Sequence, residues 1–113
     1  PALSEVLYPG LRNHPNHQLA RKQMAYFGAI ITIEHQGGLE ALHRTIKRSR
    51  RFTLAEGLGS AESLFGHPAT MSHATMPAET RERAGIREGH LRLSIGLEDP
   101  ADLLRDLQMA LEP

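Results

Sequence analysis

Cysteine and tryptophan are absent from the 113 residues, and only 4% of the chain is aromatic. Without cysteine there is no disulfide framework, no thiolate nucleophile and no Cys-based metal site. Lysine is scarce: Lys22 and Lys47 are the whole supply, and the other side-chain cations apart from histidine are arginines. Chemistry that needs an amine nucleophile therefore has two candidate positions. Net formal charge is zero, so the excess positive charge that grips nucleic acid or an anionic membrane is missing. No apolar run approaches the ~20 residues of a membrane-spanning helix. The opening stretch, Pro1 to Gly10, has no basic segment followed by an apolar one and does not read as a secretory signal. It reads as the middle of something longer, a fragment or an excised domain. A length of 113 residues fits one domain, residues 1–113, able to bury a core without staples.

The pattern along the chain alternates between strand and helix. Val6-Leu7-Tyr8 is extended and ends at the turn pair Pro9-Gly10. Asn13-His14-Pro15 reads as a helix start, with Pro15 in the first turn and the helix running to about Met24. Phe27 to Glu34 is rich in β-branched residues and reads as a strand. Leu39, Leu42, His43 and Ile46 recur at helical spacing and predict a helix from about Gly38 to Ser49. Phe52 to Ala55 and Glu62 to Phe65 read as strands around a glycine turn, and Ala78 to Ala84 as a short helix closed by Gly85. Leu91 to Ile95 alternates with period two. Asp99-Pro100-Ala101-Asp102 is a helix start in which Asp99 caps and Asp102 reaches back. Leu103, Leu104, Leu107 and Leu111 form the stripe of the last helix. The order βαβαββαβα predicts an α+β fold: a mixed, mainly antiparallel sheet with helices packed on one face.

Several motifs fail on inspection. Gly57-Leu58-Gly59 lacks the third glycine of a dinucleotide loop and the Gly-Lys-Ser/Thr of a phosphate loop; it reads as a turn that needs a positive φ. His14 and His17, or His67 and His73, could pair as metal ligands, but no His-Glu-x-x-His motif accompanies them and ordinary structural histidines explain them. The run Lys47 to Arg51 sits where a helix C-terminus favours cations. Arg92 is the sharpest residue. Leu91, Leu93 and Ile95 share one strand face, so Arg92 and Ser94 point to the other. Spacing alone leaves open a solvent-facing arginine or a rigidly held fork for a carboxylate. Glu56, beside the glycine turn, is a solvated carboxylate or a partner for a substrate ammonium.

Read together, Tyr8-Pro9-Gly10-Leu11, His14-Pro15-x-His17, Phe52-Thr53-Leu54-Ala55-Glu56-x-Leu58-Gly59, Glu62-Ser63-Leu64, His67-Pro68-Ala69-x-Met71-x-His73-Ala74 and Leu91-Arg92-Leu93-Ser94-Ile95-Gly96-Leu97-Glu98-Asp99 resemble, in order, the C-terminal domain of the Cys/Met-metabolism pyridoxal-phosphate enzymes. Cystathionine γ-synthase, cystathionine γ-lyase, cystathionine β-lyase and methionine γ-lyase belong to that family. The resemblance implies the small C-terminal domain of a fold-type I enzyme, with pyridoxal phosphate as cofactor and a sulfur amino acid as substrate. It implies that Arg92 binds the substrate α-carboxylate and that Glu56 pairs with the distal amino group of cystathionine. Gly57, Leu58 and Ser72 would line the substrate side of the cleft. Position 57 departs from the family, which usually has serine there. The family's cofactor-bearing lysine sits in a Ser-x-Thr-Lys context in a large domain; neither Lys22 nor Lys47 has that context. This chain is then expected to carry no catalytic, cofactor-binding or metal-binding residue and to be inactive alone. The resemblance further implies a cytoplasmic homotetramer in the complete enzyme. The rival reading is a stand-alone non-enzymatic remnant that binds amino acids or associates with a full-length relative.

Overall fold

The computed structural model describes residues 3–71 and 73–112. The alternating segments form five strands in one sheet, ordered β1-β2-β5-β4-β3: β1 Leu3–Leu7, β2 Ile30–His35, β3 Thr53–Leu54, β4 Leu64–Gly66 and β5 His90–Ser94. The helices between them are α1 His17–Gln23, α2 Gly38–Arg48, α3 Ala78–Arg83 and α4 Pro100–Leu111. The element order is the one the sequence pattern predicts. β1–β2, β2–β5 and β5–β4 pair antiparallel, and the short β3–β4 pair is parallel.

Registry divides the sheet into two chemically distinct faces. Val6, Ile33 and Leu91 lie abreast across β1, β2 and β5, and Leu93 pairs with Ile31 and Phe65. These apolar residues face α2 and α4, whose Leu42 and Leu103 complete a core with Phe52. Phe52 and Phe65 stack with ring centroids 4.5 Å apart. Leu42, Phe65 and Leu91 are fully buried, each contributing on the order of 1.5–3 kcal/mol. The helix layer is α2 packed on α4; α1 and α3 bury no residue. The other face carries Glu5, Glu34, His90, Thr32, Arg92, Gly66 and Ser94 by the same registers.

Local chemistry corrects three sequence expectations. Helix α1 starts at His17 with Asn16 as its cap, because His14 Nδ1 accepts the Asn16 amide 3.0 Å away and holds residues 14–16 in a turn. Asp99 caps α4 through the Ala101 amide at 2.8 Å, but the Asp102 carboxylate turns to Arg105 at 2.6 Å rather than back to the cap. Leu104 is 63% exposed, since a stripe of i, i+4 and i+8 through Leu103, Leu107 and Leu111 already fills the contact with the core. The buried carboxylate of Asp106 on α4 was not foreseen. It accepts the Ser49 hydroxyl and the Arg50 and Arg51 amides at 2.6, 2.8 and 3.3 Å. The basic run after α2 is therefore fixed by its backbone amides, which tie α2 to α4.

Candidate functional site

Parallel strands cannot be joined by a tight hairpin; the chain must return to the starting end of the sheet. Here residues 55–63 make that return between β3 and β4, across the polar face and along β5. Its contacts follow β5 in step. The Glu56 and Gly57 carbonyls meet Arg92, the Gly59 amide meets Ser94 Oγ at 2.8 Å, and the Ala61 carbonyl accepts the Leu97 amide at 2.7 Å. Gly59 supplies the positive φ (75°) that the turn requires; Gly57 has no positive φ.

Arg92 projects from β5 onto this face, as the alternation predicts, with Leu91 and Leu93 buried on the other side. Its Nη2 donates to the Glu56 and Gly57 carbonyls, each at 3.3 Å. Across the strand pair its partner is Gly66. A Cβ there would lie 3.0 Å from Nη2 and 3.3 Å from Cζ and Nε, so the missing side chain lets the guanidinium lie against the β4 backbone. An arginine has five N–H donors in a planar fork. With only Nη2 engaged, Nε and Nη1 have no protein partner among the described residues. A seated cation with free parallel donors suits a carboxylate. The Glu56 side chain is exposed, and its carboxylate makes no hydrogen bond or ion pair among the described residues. Leu58 lies in the same loop and is 59% exposed. Arg92, Glu56 and Gly57 thus come together, Leu58 adjoins them, and Ser72 lies outside the described residues.

Sequence reasoning gave no role to the groups that fasten the loop. Ser63 is fully buried. Its hydroxyl donates to Glu98 Oε1 at 2.8 Å and accepts the Gly96 amide at 2.9 Å, while its own amide donates to Glu98 Oε2 at 2.9 Å. These donors, the Ser63 amide first, hold the Glu98 carboxyl below its ordinary value of 4.5. Gly96 is required by close approach: a Cβ would sit 2.3 Å from the Ala61 carbonyl oxygen. The only available signal was the nearness of Ser63 and Glu98 to the two glycine-bearing segments.

His14, His17 and His67 each make structural contacts, His14 at the turn before α1. His17 Nδ1 lies 2.7 Å from the Pro9 carbonyl, and its ring stacks on Phe27. His67, buried, lies 2.6 Å from the Glu88 carbonyl through Nε2, which must donate, and Nδ1 lies 2.6 Å from the Thr70 hydroxyl. One group does have metal-like spacing: ligand atoms of Glu5, Glu34 and His90 fall within 4.8 Å of one another. Its hydrogen bonding argues against an ion. The Arg87 amide donates to His90 Nδ1 at 3.1 Å, which places the proton of the neutral ring on Nε2, the atom that would have to ligate. Arg87 also holds both Glu34 oxygens at 3.3 Å. His90 Nε2 is buried without a hydrogen-bond partner among the described residues, 3.6 Å from Glu34. Burial pushes its ring below 6.5, against the opposing pull of Glu34 and Glu5. The hydroxyl of Ser4, then Arg87, holds Glu34 below 4.5.

Lys47 lies in the last turn of α2, the helix that packs on the core side of the sheet, and Lys22 in the last turn of α1; both are exposed. Neither has the apolar burial that activates a lysine as nucleophile.

Comparison with known proteins gives the family and the fold. The family model described as Cys/Met metabolism PLP-dependent enzyme matches residues 1–112. The chain is 47% identical over 111 residues to cystathionine beta-lyase of Coxiella burnetii, covering 98% of this chain and 29% of that protein. It is 46% identical over 112 residues to L-methionine gamma-lyase of Fusobacterium nucleatum subsp. polymorphum, covering 99% of this chain and 28% of that protein. Among solved structures, cystathionine gamma synthase from Xanthomonas oryzae pv. oryzae, in complex with aminoacrylate and cysteine, superposes with a TM-score of 0.94 at 50% identity, over 97% of this chain and 28% of that one. The chain thus spans under a third of the length of these relatives. Relatives named for different reactions match it almost equally well.

Proposed function

The chain belongs to the Cys/Met metabolism PLP-dependent enzymes, and we propose that it is the substrate-recognition domain of a transsulfuration-type member. In this reading Arg92 takes the α-carboxylate of a sulfur amino acid. The observation that carries it is the seated guanidinium of Arg92, held by two loop carbonyls and lying against Gly66, with Nε and Nη1 free among the described residues. Glu56, whose carbonyl is part of that seat, also carries an exposed carboxylate; it offers a negative charge to a distal substrate ammonium, and this favours cystathionine over a substrate with one amino group.

Pyridoxal phosphate supplies the electron sink in this family when bound. The residues of this chain bind and orient. A carboxylate clamped on a rigid strand fixes the rotation of the amino acid about its Cα, and orientation of that kind is a large part of catalytic power. The cofactor-bearing lysine and the phosphate contacts belong to the part of the family's length that this chain does not span. The complete protein is a cytoplasmic homo-oligomer in this reading.

The test is a titration of the isotopically labelled chain with L-methionine and with its methyl ester, following the Arg92 Nε–H resonance. The acid is expected to shift that resonance and the ester is not. Arg92→Ala should abolish binding while leaving the fold intact. L-cystathionine should bind more tightly than L-methionine, and Glu56→Gln should remove the difference. Equal binding of acid and ester would refute the carboxylate role.

A further inference from the structure

We propose that Glu98 is a positioning residue for the Arg92 site, acting through Ser63 to fix the loop that seats the guanidinium. The inference rests on the carboxylate-binding reading for its functional consequence. Its geometry stands independently. The seat of Arg92 consists of two backbone carbonyls, at Glu56 and Gly57, in a loop whose residues 55–62 are mostly exposed. Such a loop cannot hold a carbonyl pair in place by its own packing. Its anchors are Ser94, through the Gly59 amide, the Ala61 carbonyl on the Leu97 amide, and the residue pair Ser63 and Glu98 at the loop's far end.

Ser63 is the joint. Its hydroxyl hydrogen goes to Glu98, and its oxygen receives the Gly96 amide. The loop end is thereby bonded both to the Glu98 carboxylate and to the backbone beyond β5, the strand that carries Arg92. An ionised carboxylate is an acceptor only, and both oxygens of Glu98 receive donors from one residue. A glutamine in its place would keep the shape but remove the charge, and with its oxygen on the Ser63 amide its NH₂ would face the Ser63 hydroxyl, whose hydrogen would then lose its acceptor. Gly96 lies close against the end of the loop, since a Cβ added there would come 2.3 Å from the Ala61 carbonyl oxygen and 2.6 Å from the Glu62 carbonyl carbon. Releasing Ser63 removes a side-chain tie at that end and loosens the loop back toward Glu56 and Gly57.

The experiment compares the wild-type chain with Glu98→Gln, Ser63→Ala and the double variant, by amide hydrogen exchange, the Arg92 Nε–H resonance and L-methionine titration. Glu98→Gln should speed exchange at Gly59 and Gly96 by about tenfold, the effect of losing one charge-assisted hydrogen bond. The Ile33 and Leu91 ladder amides should be unchanged. The Arg92 resonance should shift and L-methionine binding should weaken. Ser63→Ala should reproduce these effects, and the double variant should be no worse than either single one. Unchanged loop exchange and Arg92 resonance would overturn the proposal. So would equal acceleration of the ladder amides, which marks a general loss of stability, or additive effects in the double variant. Failure of the wild-type chain to bind L-methionine would sink the carboxylate reading alone, since exchange and the Arg92 resonance still judge Glu98.

Discussion

Gly66→Ala is a small perturbation that separates the seat of Arg92 from the stability of the sheet. Gly66 is buried in β4 and lies opposite Arg92. Its φ is not positive, so alanine is conformationally allowed there. The added methyl would meet the guanidinium at 3.0–3.3 Å, closer than van der Waals contact, and the flexible end of the arginine would yield rather than the strand. Alanine also removes the entropy cost of glycine in a strand, about 0.5–1 kcal/mol, which offsets the crowding. Net stability should move by less than about 1 kcal/mol, or less than roughly 4–8 °C in Tm. Binding should suffer far more. A guanidinium lifted from the Glu56 and Gly57 carbonyls loses its aim, and one charge-assisted hydrogen bond to the substrate is worth about 1.5–3 kcal/mol. That corresponds to roughly 10- to 150-fold in affinity. The assay pairs thermal denaturation by circular dichroism with L-methionine titration of the same samples. Wild-type affinity in Gly66→Ala would refute the seating argument. A collapse in Tm would show that Gly66 serves strand packing instead.

Two further substitutions follow from the same face of the sheet. Burial lowers the His90 pKa from 6.5, so the unfolded chain binds the proton first, and stability falls as pH drops from 6.5 through the lowered native value. His90→Leu, against Glu34, Glu5 and Arg87, should flatten that part of the Tm–pH profile; a retained slope would place it elsewhere. The lowered Glu34 pKa adds a loss only below 4.5. Gly57→Ser should be tolerated, because a Cβ there meets only Leu64 Cδ1 at 3.7 Å and φ is not positive. Its Tm should hold or rise, by up to about 1 kcal/mol of stability from the stiffer unfolded chain; a marked fall in Tm would contradict the open loop geometry.

Much of this fold is legible because its signals are local. The β-branched run before His35, the alternation about Arg92 and the Asp99-Pro100 start each declare an element within a few residues, and their order survives intact among the described residues. Arg92's placement off the core follows from the same alternation. What was not legible depends on contacts distant in sequence. Ser63 meets Glu98 across 35 residues, and Asp106 meets the turn after α2 across more than 50. A lone serine or aspartate carries no mark of such a partner. The parallel pairing of β3 with β4 was also invisible, since two strands of two and three residues do not encode their direction. That pairing sends residues 55–63 over Arg92 and so creates the site. One false step, Asp102 reaching back to its cap, arose where two partners competed and arginine won.

The central claim is that this chain carries the recognition half of a site and not the cofactor-bearing amine. Equimolar pyridoxal phosphate, borohydride reduction and peptide mass mapping test it most directly. The account predicts no stoichiometric adduct on either Lys22 or Lys47. A stoichiometric adduct on one of them would contradict it.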